Sequence, residues 1–235
     1  MSGHSKWATT KRQKAVTDAK RSNLFTKLAK NIAVAARDGA DPAMNFKLRI
    51  AIDKAKEYSM PKDNIERAIA RGSGTGGGQA VETILYEAYG PEGIALLIET
   101  VTDNKNRSAG TVKAILSKNG GSLGSAGSVQ WQFNLQGILT LKISKLTDEQ
   151  ELQLIDAGAE DFIELGDLLQ IISAPENLEK IKHQVQALNL PLTDAALEYR
   201  PKDLITPKDP ERIIHLLELL EDDEDINNVY TNANV

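Results

Sequence analysis

Trp7 stands in a run of cations. Lys6 precedes it, Lys11, Arg12 and Lys14 follow it, and His4 lies three residues before it. Ammonium and guanidinium groups neutralise phosphates, and planar rings stack on unpaired bases. The set therefore suits nucleic acid, single strands and RNA above all. Across residues 1–30 there are eight basic residues and one acid, Asp18, in a chain whose formal net charge is −5. A run this basic repels itself unless something anionic lies against it. The plain alternative is a solvated terminus.

Thr102 to Arg107 is a second place where anion chemistry is expected. It sits between an apolar strand-like run and a helical stretch, where backbone N–H groups favour anions. Arg107 falls in the first helical turn, where the helix dipole opposes its charge unless an anion is near. Asn104 and Asn106 are candidate ligands there, and simple caps in the alternative.

Other chemistries are poorly supplied. The chain has no Cys, and His4, His183 and His215 are scattered, so disulfides, thiolate catalysis and a zinc site are not expected. Glu99 with Asp103 and Asp222 with Asp223 are carboxylate pairs without a base, nucleophile or metal-ligand set beside them. The run Gly72-Ser73-Gly74-Thr75-Gly76-Gly77-Gly78 is followed by Gln79-Ala80. A P-loop needs Lys-Ser/Thr at that point, and a dinucleotide turn needs a preceding strand, so the run reads as a flexible linker. No enzyme activity, cofactor or small-molecule substrate is expected.

The charge is divided along the chain. Residues 1–71 hold sixteen Lys and Arg against seven Asp and Glu, and residues 72–235 hold twelve against twenty-six. Such asymmetry points to a nucleic-acid surface at one end. It equally allows the basic end to dock on the acidic end, within one chain or between two. No apolar run approaches the roughly 20 residues that span a bilayer, and no secretory signal follows the basic start. A cytoplasmic protein without membrane contact is the expectation.

These groups must be positioned by regular elements. Residues 1–17 lack apolar periodicity and read as a mobile basic arm. Asp18 opens a helix to Arg37 in which Leu24, Phe25, Leu28, Ile32, Ala35 and Ala36 share one arc. Lys20, Lys27, Lys30 and Arg37 share another, nearly opposite. Asp41-Pro42 is a cap followed by a first-turn proline, starting a helix through Leu48, Ile52 and Ala55, and Pro61 opens a third helix that carries Arg67 and Arg71. After the glycine run come strands at Thr83–Tyr89, Ile94–Val101 and Val129–Phe133, with a helix from Asn104 or Asn106 to Lys118. From Gly137 the order is strand (Ile138–Ile143), helix (Thr147–Ala157), strands (Asp161–Leu165 and Asp167–Ser173), helix (Pro175–Leu188) and strand (Ala195–Tyr199). That is the split βαβ of ferredoxin-like folds. A last helix, Pro210–Leu220, an acidic run, Glu221–Asp225, and a strand-like tail are too small to stand alone. They are expected to return to the first α/β unit.

The expected fold class is α+β: an N-terminal three-helix domain and two ferredoxin-like α/β domains, one inserted into the other. The expected divisions are 1–17 (arm), 18–78 (helices and linker), 79–135 plus 205–235 (first α/β domain) and 136–204 (inserted domain).

Several stretches resemble the YebC/PmpR family: Met1-Ser2-Gly3-His4-Ser5-Lys6-Trp7, Asp18-Ala19-Lys20-Arg21 and Met60-Pro61-Lys62-Asp63-Asn64-Ile65. Tyr86-Glu87-Ala88-Tyr89-Gly90-Pro91, Thr102-Asp103-Asn104-Lys105-Asn106-Arg107 and Gly127-Ser128-Val129-Gln130-Trp131-Gln132-Phe133 extend the likeness over nearly the whole chain, in order. The family often has Arg where Lys105 stands and Thr where Ser108 stands, which keeps the charge and the hydroxyl. The resemblance implies a helical domain plus two α/β domains, no enzymatic activity, and regulation of transcription by DNA binding. It is also similar to mitochondrial translational activators for cytochrome oxidase, which implies a ribosome-associated alternative acting on rRNA or tRNA. A protein-interaction scaffold using the acidic domains is the third reading. The residues expected to meet nucleic acid are His4, Lys6, Trp7, Lys11, Arg12, Lys14, Lys20, Arg21, Lys27, Arg67, Arg71, Asn104, Asn106 and Arg107, in a monomer or weak oligomer.

Overall fold

The computed structural model describes residues 18–77 and 81–235. Three helices come first: α1 (Asp18–Ala36), α2 (Phe46–Glu57) and α3 (Lys62–Gly72). Helical spacing places Leu28, Ile32, Ala35 and Ala36 of α1 against Leu48, Ile52 and Ala55 of α2 and Ile65 and Ala68 of α3, all buried. Helix α2 begins at Phe46, four residues after the expected Pro42. Asn45 is its cap: Oδ1 accepts the Leu48 N–H, while Nδ2 donates to the carbonyls of Ala35 and Gly39, both at 2.7 Å. Those bonds consume residues 41–44 in a turn held by the Asp41 carbonyl, which accepts the Asn45 N–H at 2.8 Å.

The glycine run is more ordered at its start than a linker. A Cβ on Gly72 would lie 2.1 Å from the Ala33 carbonyl oxygen, so α3 ends in backbone contact with α1. Thr75 and Gly76 then fold back, each donating its N–H to the Ala70 carbonyl. Residues 78–80, like the arm 1–17, lie outside the described residues.

The first sheet has strand order β3-β1-β2-β8, with β1 (Glu82–Tyr89), β2 (Ala95–Thr102), β3 (Ser122–Leu123) and β8 (Ile226–Thr231). Helices α4 (Lys105–Lys118) and α7 (Pro210–Glu221) cover one face. The apolar run of β2 is divided by its period of two. Leu96 and Ile98 face the helices with Val112, Leu116, Leu216 and Leu217. Ala95 and Leu97 face the opposite side with Val129 and Phe133. A strand buried on both faces reads as continuous hydrophobic sequence for this reason.

The second sheet has order β5-β6-β4-β7, from β4 (Phe133–Leu141), β5 (Ala159–Leu165), β6 (Leu168–Ser173) and β7 (Leu192–Pro201). Helices α5 (Asp148–Asp156) and α6 (Leu178–Ala187) pack Leu154, Ile181 and Val185 on Leu139, Leu141 and Ile171. Because β8 pairs with β2, the whole second sheet is interposed between two parts of the first. Strand β4 starts five residues before the expected Ile138, so a division between residues 135 and 136 would cut it. The expected strand Val129–Phe133 is instead a 3-10 turn, Gln130–Gln132, leading into β4. The reason is Glu87: its carboxylate accepts the N–H groups of Gly127, Val129 and Gln130 at 2.5, 2.6 and 2.7 Å, and the last two, which belong to the expected strand, are thereby lost to any ladder.

The helical bundle touches both sheets. Ala33 and Val34 of α1 meet Val81 and Val101. Ile50 of α2 joins the second core, and Lys54 Nζ lies 3.6 Å from Asp194 on β7. Among the described residues no helix is long and apolar enough to cross a membrane.

Candidate nucleic-acid interface

Helix α1 carries two stripes. The apolar one closes the bundle. The other, Asn23, Lys27, Lys30 and Asn31, recurs at helical spacing and lies against the C-terminal end of α7 and the acidic turn after it. Asn23 Nδ2 donates to the Asp222 carbonyl and Lys27 Nζ to the Glu221 carbonyl. Lys30 Nζ donates to the Glu224 carbonyl at 2.8 Å and to Asp225 Oδ1 at 2.5 Å, and Asn31 Nδ2 to Asn227 Oδ1 at 2.8 Å. The helix C-terminus carries the negative end of the dipole, so cations are favoured there even before the carboxylates are counted. Arg37, on the same expected arc, donates to the Val81 carbonyl at 3.2 Å.

Asp225 is the centre of a charge knot. Its side chain is 4% exposed, and that of Lys30 is 9% exposed. Arg107 donates Nε and Nη2 to the same carboxylate at 3.0–3.1 Å and a further bond to Asp103 Oδ1 at 2.9 Å. Arg71 Nη2 reaches Asp103 Oδ2 at 3.0 Å. The order Lys30–Asp225–Arg107–Asp103–Arg71 thus runs from α1 through the turn before β8 and the start of α4 to the end of α3. Burial alone would raise the Asp103 carboxyl, but the hydrogen bonds from Arg71 and Arg107 outweigh it and hold the group below its ordinary value. The bonds that Arg107 donates to Asp225, then to Asp103, outweigh burial and hold its guanidinium more firmly charged.

The anion that Arg107 needs in the first turn of α4 is therefore supplied by the chain itself. Asn104 is the cap of that helix, accepting the Arg107 N–H at 3.1 Å, and Asn106 is exposed. Of the other expected contact residues, Lys27 and Arg71 belong to this seam. Arg21 is exposed on α1, and Lys20 lies in the same helix. Arg67 is exposed and donates to the Asp63 carbonyl and to Asn64 Oδ1. His4, Lys6, Trp7, Lys11, Arg12 and Lys14 lie outside the described residues.

Sequence reading named Asp103 and the acidic run that ends at Asp225 but gave neither carboxylate a part in a seam. The opposite net charges of the two ends were the available signal. The acid pairs weighed for catalysis are engaged otherwise: Asp103 by two arginines, Glu99 by Asn227 and Asn228, and Asp223 by the Asp225 N–H. What the seam can do chemically is hold charge against charge. The donors it employs, Lys, Arg and Asn side chains, are those that grip phosphate oxygens in nucleic-acid complexes.

Comparison with known proteins places the chain. Residues 5–75 match the family model described as the TACO1/YebC protein N-terminal domain, and residues 81–233 match the TACO1/YebC second and third domain. A probable transcriptional regulatory protein of Thermoanaerobacter pseudethanolicus is 44% identical, with 100% of this chain and 98% of that one covered. One from Mycobacteroides abscessus is 46% identical, covering 100% and 96%. The crystal structure of a conserved hypothetical protein from Aquifex aeolicus superposes with a TM-score of 0.86 at 36% identity, over 97% of this chain and 96% of that chain. With both models matched in order and full-length relatives at this identity, the chain belongs to the TACO1/YebC family.

Proposed function

We propose that this protein is a nucleic-acid-binding regulator of gene expression without catalytic activity, and that it acts on DNA in transcription. The observation that carries the reading is the concentration of eight basic residues in the first thirty of an acidic chain. The relatives named probable transcriptional regulatory proteins support the process. The proposed contacts are the arm residues with Arg21 and Arg67, joined by Lys20, Lys27, Arg71, Asn104, Asn106 and Arg107 where the seam admits them. A cytoplasmic monomer or weak oligomer is part of the same proposal. The test is an electrophoretic shift with promoter DNA against unrelated competitor. A sequence-selective shift supports transcription, and equal loss of both complexes overturns selectivity.

A second reading has its own support. Trp7 among cations suits unstacked bases better than the major groove. On α3, Lys62 pairs with Glu66 and Arg71 with Asp103, while Arg67, hydrogen-bonded to the neutral Asn64, keeps its charge. A translation factor that meets ribosomal RNA through the arm would co-migrate with ribosomal subunits on sucrose gradients after DNase treatment. Migration only at the top of the gradient would remove this reading.

A further inference from the structure

We propose that the Asn23–Lys27–Lys30–Asn31 stripe of α1 is a phosphodiester-binding face, covered in this conformation by the turn 221–227 acting as an intramolecular stand-in for a nucleic-acid backbone. The inference rests on the nucleic-acid reading above and adds to it a surface and its occupant.

The contact chemistry argues for the stand-in. The stripe's lysines and Asn23 meet oxygens at negative sites: the carbonyls of Glu221, Asp222 and Glu224, and the carboxylate of Asp225. Five consecutive acidic residues, Glu221 to Asp225, surround those carbonyls. A line of oxygens in a negative field, met by ammonium and amide donors, is also what a phosphate backbone presents.

The contact is also of a kind that can exchange. Its apolar part is small: Ala33 and Val34 meet Val81 and Val101, and Ile50 reaches the second core. Polar interfaces between parts of one chain permit relative motion by default. Gly74 and Gly77, which follow the end of α3, adopt φ of +80° and +68°.

The test uses the full chain. Because it contains no Cys, an Asn31→Cys, Asn227→Cys pair can be joined by a short bis-maleimide without side reactions. Binding is read with a fluorescein-labelled oligonucleotide of mixed sequence, once as single-stranded RNA and once as duplex DNA, so the two sources of phosphodiester are separated. If Lys27 and Lys30 each engage one phosphate, cross-linking removes two contacts. The slope of log K against log salt should then become shallower by about 1.4–1.8, and affinity at roughly 0.15 M salt should fall about 15- to 30-fold. A second variant, Asp222→Asn with Glu224→Gln, leaves the Asp225 knot in place, weakens the covering turn and should bind more tightly than the parent. If cross-linked and free protein bind alike with the same slope, the inference falls while the nucleic-acid reading stands. If the free protein binds neither probe, both fall.

Discussion

Arg107 and Asp225 form a two-pronged ion pair, with guanidinium Nε and Nη2 at 3.0–3.1 Å from the carboxylate oxygens. The two residues are 118 positions apart, and the entire second sheet is folded between them. Asp225 also takes Lys30 from the helical bundle, so one buried carboxylate joins three parts of the chain.

Asp225→Ala should therefore be costly. It leaves Lys30, almost fully buried, facing Arg107 with no intervening negative charge. Removing one partner of a buried pair typically costs about 3–5 kcal/mol. Urea denaturation should show the midpoint falling accordingly. A loss below about 1 kcal/mol would mean that solvent reaches the knot freely, as at surface pairs.

Asp103 gives the seam a pH dependence. Its folded value lies below the ordinary 3.8 because Arg71 and Arg107 overcome the effect of burial. Its contribution is complete above the unfolded value and is lost as pH falls through the lower folded one. Stability of the parent should drop more steeply below pH 3.8 than that of Asp103→Asn, which lacks the titrating group. Parallel acid titration curves would show that the two arginines do not act through this carboxylate.

Glu87 fixes the loop that holds Trp131, a residue 66% exposed whose indole N–H is donated to the Ser128 carbonyl at 3.1 Å. Burial would raise Glu87, but the three backbone N–H groups outweigh it and hold the carboxyl low. In Glu87→Gln an amide nitrogen must oppose at least one of those N–H groups, which should cost about 1–3 kcal/mol. Hydrogen exchange at Gly127, Val129 and Gln130 should accelerate. Unchanged protection at all three would show that the loop is held by other contacts.

Two glycines should respond in opposite directions. Gly72→Ala drives a methyl into the Ala33 carbonyl of α1, and crowding of this kind typically costs about 1–3 kcal/mol. Gly110 lies within α4 with open space around its Cβ position, so Gly110→Ala should stabilise by about 0.5–1 kcal/mol. Urea midpoints that move together for both variants would contradict the geometry.

These residues also mark where sequence reading stops. Apolar spacing made α1 legible, and the continuous run at Ile94–Val101 gave β2, because burial leaves a periodic trace. Gly72 looked like flexibility because sequence does not distinguish a glycine needed for close approach from one needed for freedom. Val129–Phe133 alternates like a strand, and only the carboxylate of Glu87, forty residues earlier, turns it into a loop. Strand β3 has two residues, too few to carry a period. The charge excess of α1 was visible, but not its direction, since a cation facing solvent and one facing Asp225 look alike along the chain.

The arm remains the decisive place to test binding. Residues 1–17 have no apolar stripe, so deleting them should leave folding intact. The deletion removes Lys6, Lys11, Arg12 and Lys14. At about 0.7 per phosphate contact on a single strand, the salt slope should become shallower by about 3 if all four engage. Trp7→Ala removes no charge, so its slope should hardly change, yet affinity should fall by about 1–3 kcal/mol if the ring stacks on a base. The pair of variants separates electrostatics from stacking. Binding and slope equal to the parent in both would make the arm a solvated terminus, and contact with nucleic acid would then rest on Arg21, Arg67 and the stripe of α1.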